Sequence, residues 1–535
     1  MNIFKFIKKY LKNYKIYIIL FCMFSTIIKF TSFFIPYILG KFIDSMILNK
    51  SVDMVLNYSK GIILIAFIEL VSIYSREMIG IKLSSQLSFN IIDSIVEHLK
   101  RLPIDYFRDL DTVYLNQRIN QDVGLIVKFV TNSTVELFLQ LACVIILIFF
   151  TYNINLWFSV SIIIILIINF IIYTVFKKII YKNGYELQES QNKFFSKVND
   201  QFSIIKSIKR HSWFKKLNNE IKENFSSFYK NAIRYTKITS LYNAIGNLFK
   251  YVCIVFLVMY GGRQIINNKM SIGDFIILNS YFLMLLEWVR FILSFGEQYQ
   301  SSIVAYDRIM DIINIKEEHN GQKFIESIDS ICIKDLTFNY GKNFIVKNFN
   351  FMFEKGNVYC IEGQNGKGKS TLIDLITGLR YDYKGEIYYN HINIKDLNIY
   401  DIRRKLMGIV EQEPNLAKDS IVNNLVYDLE GYEDKKLHSL CDSMNISKFI
   451  SNKNEDNLNT NFSNISGGEK QKIAEIRAIL KNPEVLILDE PISALDQESI
   501  IVLKSILNDI KKDCIIIIIT HNDMILDIVD KVIKL

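Results

Sequence analysis

Six apolar stretches, each long enough to cross a lipid bilayer, constrain this chain more than any other feature. A spanning helix needs about 20 mostly apolar residues, because hydrocarbon offers no water to backbone groups left unpaired. The stretches cover residues 16–42, 56–75, 130–152, 156–176, 241–265 and 275–295. The fourth, with Ile162 and Ile168 near its centre, is the clearest; the second and sixth carry charges. Half of the 535 residues are hydrophobic, and only five are proline, which suits long unbroken helices. This length is natural for two domains. The first is expected to be an all-α six-helix transmembrane domain over residues 1–315.

Basic residues set the orientation. The connections near Asn49, Asn153 and Asn267 are short, whereas residues 76–129 and 177–240 form two long ones. The long ones hold Lys100, Arg101, Arg108, Lys177, Lys178, Lys182, Lys206, Lys209 and Arg210. Lys and Arg gather on the cytoplasmic side, so both long connections and both termini are expected there. Helical periodicity and few breakers make these connections extensions of the membrane helices. Near the N-terminus, Lys5, Lys8, Lys9 and Lys12 interleave with Ile3, Phe4, Phe6, Ile7, Tyr10 and Leu11. That pattern predicts an amphipathic helix lying on the inner membrane face. No small-residue cleavage site follows, so no removable signal peptide is expected.

The net charge of +8 could suit nucleic acid or an anionic membrane. Its clustering beside apolar segments favours the membrane, and no nucleic-acid partner is expected. The seven cysteines are scattered without a CxxC pair, so buried structural thiols are expected. Lys29, Glu69, Glu136, Lys250, Glu287 and Arg290 fall inside apolar stretches. Charge there is costly and usually faces a cavity or a partner. Glu136 and Lys250 fit span ends, whereas Lys29 and Glu69 lie near mid-span and are candidates for a wet substrate cavity.

Beyond residue 315 the apolar runs shorten to strand length and turn residues multiply. Gly363-Gln-Asn-Gly-Lys-Gly-Lys-Ser-Thr371 fits the phosphate-binding loop GxxxxGK[ST], between an apolar strand and a helix. Its glycines let backbone N–H groups curl around phosphates, and the helix N-terminus adds positive potential. Lys369 would reach the β- and γ-phosphates, and Ser370 would hold Mg2+. Val485-Leu-Ile-Leu-Asp-Glu-Pro491 is a strand ending in two acids. Asp489 is placed to hold Mg2+ through water, and Glu490 to orient or deprotonate an attacking water. Ile465-Ser-Gly-Gly-Glu-Lys-Gln471 opens a helix and makes a second anion site, suited to another subunit's nucleotide. The apolar run 515–520 delivers His521, for which a γ-phosphate contact is expected.

Taken together, these motifs resemble a half-size ABC exporter of the type IV (type I exporter) fold, over essentially the whole chain. The resemblance implies an α/β P-loop NTPase (ABC ATPase) domain over 322–535 and ATP with Mg2+ as cofactors. It makes Tyr340 an aromatic that stacks on adenine. Gly363, Gln364, Asn365, Gly366, Lys367, Gly368, Lys369, Ser370 and Thr371 are then the Walker A loop. Gln412, in Val410-Glu-Gln-Glu-Pro414, resembles the Q-loop glutamine that senses Mg2+ and attacking water. Ser466, Gly467, Gly468 and Glu469 form the signature motif. Asp489 and Glu490 form Walker B with the catalytic base, Ser493-Ala-Leu-Asp496 the D-loop, and His521 the switch histidine. Leu102-Pro-Ile-Asp-Tyr-Phe107 resembles the stretch leading to the first coupling helix, and 207–213 the second. The run 268–274 resembles the turn before the sixth span.

Three departures separate the chain from the family pattern. Ile465 and Glu469 stand where Leu and Gln are common, a mild change. Glu475 stands where a small residue is usual. Residues 459–464 lack the family's TEVGxxG-like segment, so contact with the membrane domain should differ there, with Phe462 a candidate.

The resemblance implies a working unit of two chains, a homodimer or a pair with a paralogous half-transporter. Each ATP then sits between Walker A of one chain and Ser466 and Gly468 of the other, and one chain alone is inactive. Closure would turn a cavity outward and hydrolysis would reset it. The expected place is a bacterial cytoplasmic (inner) membrane, crossed many times, in contact with membrane lipid. The Asn-, Ile- and Lys-heavy composition fits an AT-rich bacterial genome. Fold does not fix cargo. The mid-span charges favour a small peptide of the bacteriocin kind over a lipid-like or glycolipid substrate or a drug. Few residues precede the first span, so no leader-clipping peptidase domain is expected. Cassettes without spans serve DNA repair or translation, and the six spans argue against that; an ATP-gated channel or sensor is the remaining alternative class.

Overall fold

The computed structural model describes residues 2–49, 52–108, 112–154, 156–341, 343–364, 366–427, 429, 431–447 and 465–535. The expected contact segment 459–464, with Phe462, and Walker A residue Asn365 lie outside them. The chain divides into two compact units: Met1–Lys100 with Asp111–Ile315, and Arg101–Leu110 with Lys316–Leu535. The sequence reading ran the first domain through 101–108, whereas these residues group with the second unit.

The first unit is built of helices joined by short turns. It comprises α1 (Asn2–Leu11), α2 (Lys15–Asn49), α3 (Val52–Leu99) and α4 (Thr112–Lys128). A π-helical turn, Phe129–Ser133, joins α4 to α5 (Thr134–Ile154). Then come α6 (Leu156–Ser203), the short α7 (Ile205–His211), α8 (Phe214–Ile266) and α9 (Ile272–Ile313). Among the described residues five segments are long and apolar enough to cross a membrane: Ile3–Ile47, Val52–Leu99, Arg118–Tyr152, Phe214–Ile266 and Ile272–Ile313. The stretch 156–176 begins α6, a helix of 48 residues. At 1.5 Å per residue such a helix runs about 70 Å, more than twice the hydrocarbon thickness. The long connections are therefore the continuation of the spans, as their periodicity suggested.

The amphipathic α1 departs from expectation. Its Ile3 and Ile7 are buried with Leu83, Leu87 and Ile91 of α3 and Ile309 of α9, while Phe4 stays exposed, so part of its apolar face packs on protein. At the other end of α2, Gly40 and Gly273 allow α2 and α9 to touch: a Cβ on Gly273 would sit 2.1 Å from the Gly40 carbonyl oxygen. Asp44 fixes this crossing by accepting from the Gly273 N–H and the Ser271 hydroxyl, both at 2.7 Å. Ser271 in turn caps α9, accepting from the Asp274 N–H.

The second unit is an α/β cassette. Strands β1 (Ser330–Tyr340) and β2 (Asn343–Glu354) lead to β3 (Val358–Glu362) and α10 (Lys369–Ile376). Strands β4 (Lys384–Tyr389) and β5 (Ile392–Asn393), α11 (Ile399–Lys405) and β6 (Met407–Val410) follow. Helices α12 (Ile421–Leu425), α13 (Asp434–Ser443) and α14 (Gly467–Leu480) precede β7 (Val485–Asp489). Last come α15 (Gln497–Ile510), β8 (Ile515–Ile519) and β9 (Lys531–Lys534). An antiparallel sheet has the order β2-β1-β4-β5, and a parallel sheet the order β6-β7-β8-β3-β9. Strand β8 shows why five isoleucines in a row are needed. Ile515, Ile517 and Ile519 enter the core shared with β1 and β4, while Ile516 and Ile518 enter the core under α13 to α15. A parallel strand covered on both faces reads as a continuous apolar run.

Candidate functional site

Parallel topology carries the loops after β3, β7 and β8 to one rim of the sheet, where α/β sheets bind ligands. β8 lies between β3 and β7, with Ile519 opposite both Ile361 and Asp489. The residues one step beyond the strands therefore meet. After β3 the chain turns through Gly366 and Gly368, at φ +81° and +94°, a region that glycine adopts without a Cβ penalty. A Cβ on Gly368 would also strike Ile345 of β2 at 2.3 Å. Lys369 opens α10, donates to the Gly363 carbonyl at 2.6 Å and contacts His521 Nε2. Of the remaining loop residues, Gln364, Gly366, Lys367 and Ser370 are exposed and Thr371 half-buried.

Asp489 ends β7 and hydrogen-bonds Ser370. Burial, then the neighbouring Glu490, push its carboxyl above the usual range, against the pull of Lys369 and Ser370. Glu490 takes a positive φ of 47°, and its N–H donates to the Ile519 carbonyl at 2.8 Å. A non-glycine residue held there is strained backbone at a turn the sheet fixes. Thr520 donates to Glu490 Oε2 at 3.4 Å and accepts from the Asn522 N–H. So Lys369, Ser370, Asp489, Glu490 and His521 share one rim.

The signature residues sit at the head of α14. Ser466 is its N-cap, and Glu469 returns to the Ser466 N–H at 2.9 Å, a complete capping box. Glu469, the mild departure from the family pattern, thus has a physical role: its carboxylate serves the cap. Gly467 is exposed, and a Cβ on Gly468 would meet the Ala494 carbonyl oxygen at 2.5 Å, so the D-loop packs on this turn. Asp496 pairs with Lys472 at 3.3 Å. Gln412 is exposed in the turn after β6. Tyr340 ends β1, on the hairpin whose β2 packs against the phosphate loop.

Sequence reasoning missed the surroundings of Tyr340. Arg380 is buried, donates to both Asp105 oxygens at 2.5 Å and to Asp374 at 3.1 Å, and lies over Tyr340 at 5.1 Å. Arg108 lies over the same ring at 4.9 Å. Asp105 lies within the stretch read as leading to the first coupling helix and Arg108 directly follows it, but no local pattern names their partners. In the helical unit, Lys29 pairs with Glu136, and Gln140 donates to the same carboxylate at 2.7 Å. The sequence had read Glu136 as a span-end residue; it is the partner of Lys29. Ser32 donates to Glu69 at 3.2 Å. All seven cysteines are free; five are buried, while Cys22 and Cys332 are half-buried.

The rim suits a divalent cation with phosphate. Among the described residues no three His, Cys, Asp or Glu side chains form a metal cage. Mg2+ commonly takes one or two carboxylates, a hydroxyl, water and phosphate oxygens. Ser370 and the destabilised carboxylate of Asp489 match that set.

Comparisons with known proteins agree with this geometry. The family model described as ABC transporter transmembrane region matches residues 18–289, and that described as ABC transporter matches 346–493. A sublancin-168-processing and transport ATP-binding protein of Bacillus subtilis is 27% identical over 90% of this chain and 69% of its own length. An ATP-dependent lipid A-core flippase of Syntrophus aciditrophicus is 23% identical over 90% of this chain and 81% of its own. The chain spans between 55% and 81% of the length of the curated relatives compared. A bacterial Atm1-family ABC exporter with ATP bound superposes with a TM-score of 0.82 at 19% identity, over 98% of this chain and 93% of that one.

Proposed function

Because the chain belongs to the ABC transporter family, we propose that it is a half-size exporter subunit that hydrolyses ATP to move a peptide out across a bacterial cytoplasmic membrane. The observation that carries this reading is the gathering of Lys369, Ser370, Asp489, Glu490 and His521 on one sheet rim, in a chain that also holds span-length helices.

In this reading the phosphate loop cradles the phosphates with its N–H groups, and Lys369 and His521 meet the γ-phosphate. Tyr340 stacks on the adenine. Ser370 and Asp489, with Gln412, would hold Mg2+, which when bound neutralises charge on the phosphate oxygens. Glu490, fixed by the Ile519 carbonyl and by Thr520, orients a water and takes its proton.

The working unit is a pair of chains. The capped head of α14 offers N–H groups to an anion, and we assign that anion to the partner's nucleotide. Asp496 lies beside it through Lys472. The basic residues of the cytoplasmic extensions support cytoplasmic termini. A peptide cargo is supported by the sublancin transporter; the transport part of that name is what we carry over. A lipid-like cargo is the competing reading, supported by the lipid A-core flippase.

The test is ATP-dependent uptake into inverted vesicles bearing the purified protein, with a fluorescent peptide and a fluorescent lipid offered separately. Peptide accumulation that stops without ATP supports the proposal. Lipid movement without peptide uptake replaces the cargo, and uptake indifferent to ATP contradicts the pump.

A further inference from the structure

The ring of Tyr340 is crowded by two cations of unequal freedom. Arg380 is packed in place: its side chain is 7% exposed, it is bound to Asp105 and Asp374, and it also lies over Phe338. Arg108 is exposed and sits 4.9 Å from the centre of the Tyr340 ring. A purine between ring and guanidinium would need about 7 Å, two contact distances of about 3.5 Å. Arg108 and a base stacked on the face it covers therefore cannot share the ring as it stands. The segment carrying Arg108 is pinned three residues earlier, where Asp105 binds Arg380 within the short 3-10 turn Ile104–Phe107.

We propose that Arg108 is a positioning residue that reads the nucleotide base: it holds the Tyr340 ring, and an incoming purine displaces it while Asp105 stays anchored to Arg380. Base binding then moves the chain at residue 108 about a fixed pivot, just ahead of α4. Phosphate acts on this segment by a different route, through α10, whose Asp374 is held by the anchored Arg380, and so leaves the Tyr340 ring to Arg108. The reading of Tyr340 as the adenine platform is assumed here.

The competition makes Arg108 oppose base binding by one exposed cation–π contact, worth roughly two- to five-fold in affinity. The test measures dissociation constants of Mg-ATP and of inorganic tripolyphosphate by titration calorimetry, on the full chain in lipid nanodiscs. Arg108→Ala is expected to tighten ATP roughly two- to five-fold and to leave tripolyphosphate unchanged. In a Tyr340→Ala background the same change should do nothing to ATP. Weaker or unchanged ATP binding in Arg108→Ala overturns the proposal, the first because Arg108 would then cover the base. An equal shift for both ligands, or an effect that persists without the Tyr340 ring, also overturns it. Failure of folded wild type to bind ATP at all would overturn the ATP-site reading itself, and this inference with it.

Discussion

The two units handle buried charge in opposite ways. In the helical unit Lys29 meets Glu136, and Gln140 donates to the same carboxylate, so charge is cancelled where hydrocarbon makes it costly. In the cassette, Asp489 and Glu490 stand side by side at the end of β7, and burial with like charge pushes Asp489 up. Pairing is a structural solution. Two adjacent acids facing a phosphate loop are a chemical one: in the proposed function a cation meets their charge and Glu490 takes a proton from water. Mid-span charge alone therefore does not mark a cargo site, whereas the rim charges point to chemistry.

Removing one acid from the rim gives the sharpest contrast. Glu490→Gln should lose ATPase activity by about 10²–10⁴-fold, the usual worth of a general base, while ATP binding persists. Phosphate release and calorimetry read the two, and near wild-type turnover would take the base role from Glu490. In the helical unit, Lys29→Met should instead cost stability. Breaking a fully buried pair costs about 3–5 kcal/mol; here the side chains are 18% and 23% exposed, so about 1–3 kcal/mol is expected. Adding Glu136→Gln should recover most of that in thermal unfolding. If Lys29→Met and Glu69→Gln also leave transport and substrate-stimulated ATPase unchanged, neither residue touches cargo.

Glu475 tests whether the cassette tolerates unpaired acids away from its rim. It is fully buried on α14, and burial pushes its carboxyl well above the usual range against the weaker pull of Gln471 and Lys472. The unfolded chain loses this proton near pH 4.3, while the folded chain keeps it. Stability therefore falls as pH rises above that point, up to the folded value. Glu475→Gln should melt several degrees higher than wild type at pH 8, with the gap narrowing toward pH 5; a constant gap would contradict a buried neutral acid. The smallest effect is expected at an exposed cap. Ser466→Ala should cost about 1 kcal/mol of cassette stability, yet lower ATP turnover further than so small a loss accounts for.

Most of the rim was legible because its motifs are contiguous: the phosphate loop, the two acids after an apolar strand and the capped helix each fit within a few residues. The membrane half was legible because hydrocarbon imposes length and composition on every span. What escaped were partnerships across sequence. Arg380 and Asp105 are separated by 275 positions, and Lys29 and Glu136 by 107. No local periodicity encodes such a meeting, so Glu136 read as a span end and Arg380 drew no notice at all. The packing of α1 on α3 and α9 escaped for the same reason. Glu469, conversely, was visible as a substitution, but its service to the Ser466 N–H became clear only in three dimensions.

The central claim is that one chain's phosphate loop works with the other chain's signature helix. Differently tagged chains carrying Lys369→Ala and Ser466→Arg can be co-expressed, and the mixed dimer isolated through both tags for ATPase assay. The account predicts that each variant alone is inactive and that the mixed dimer regains roughly half of wild-type activity, because one of two symmetry-related sites is then whole. A mixed dimer as inactive as its parents would place each complete site within a single chain and contradict the account.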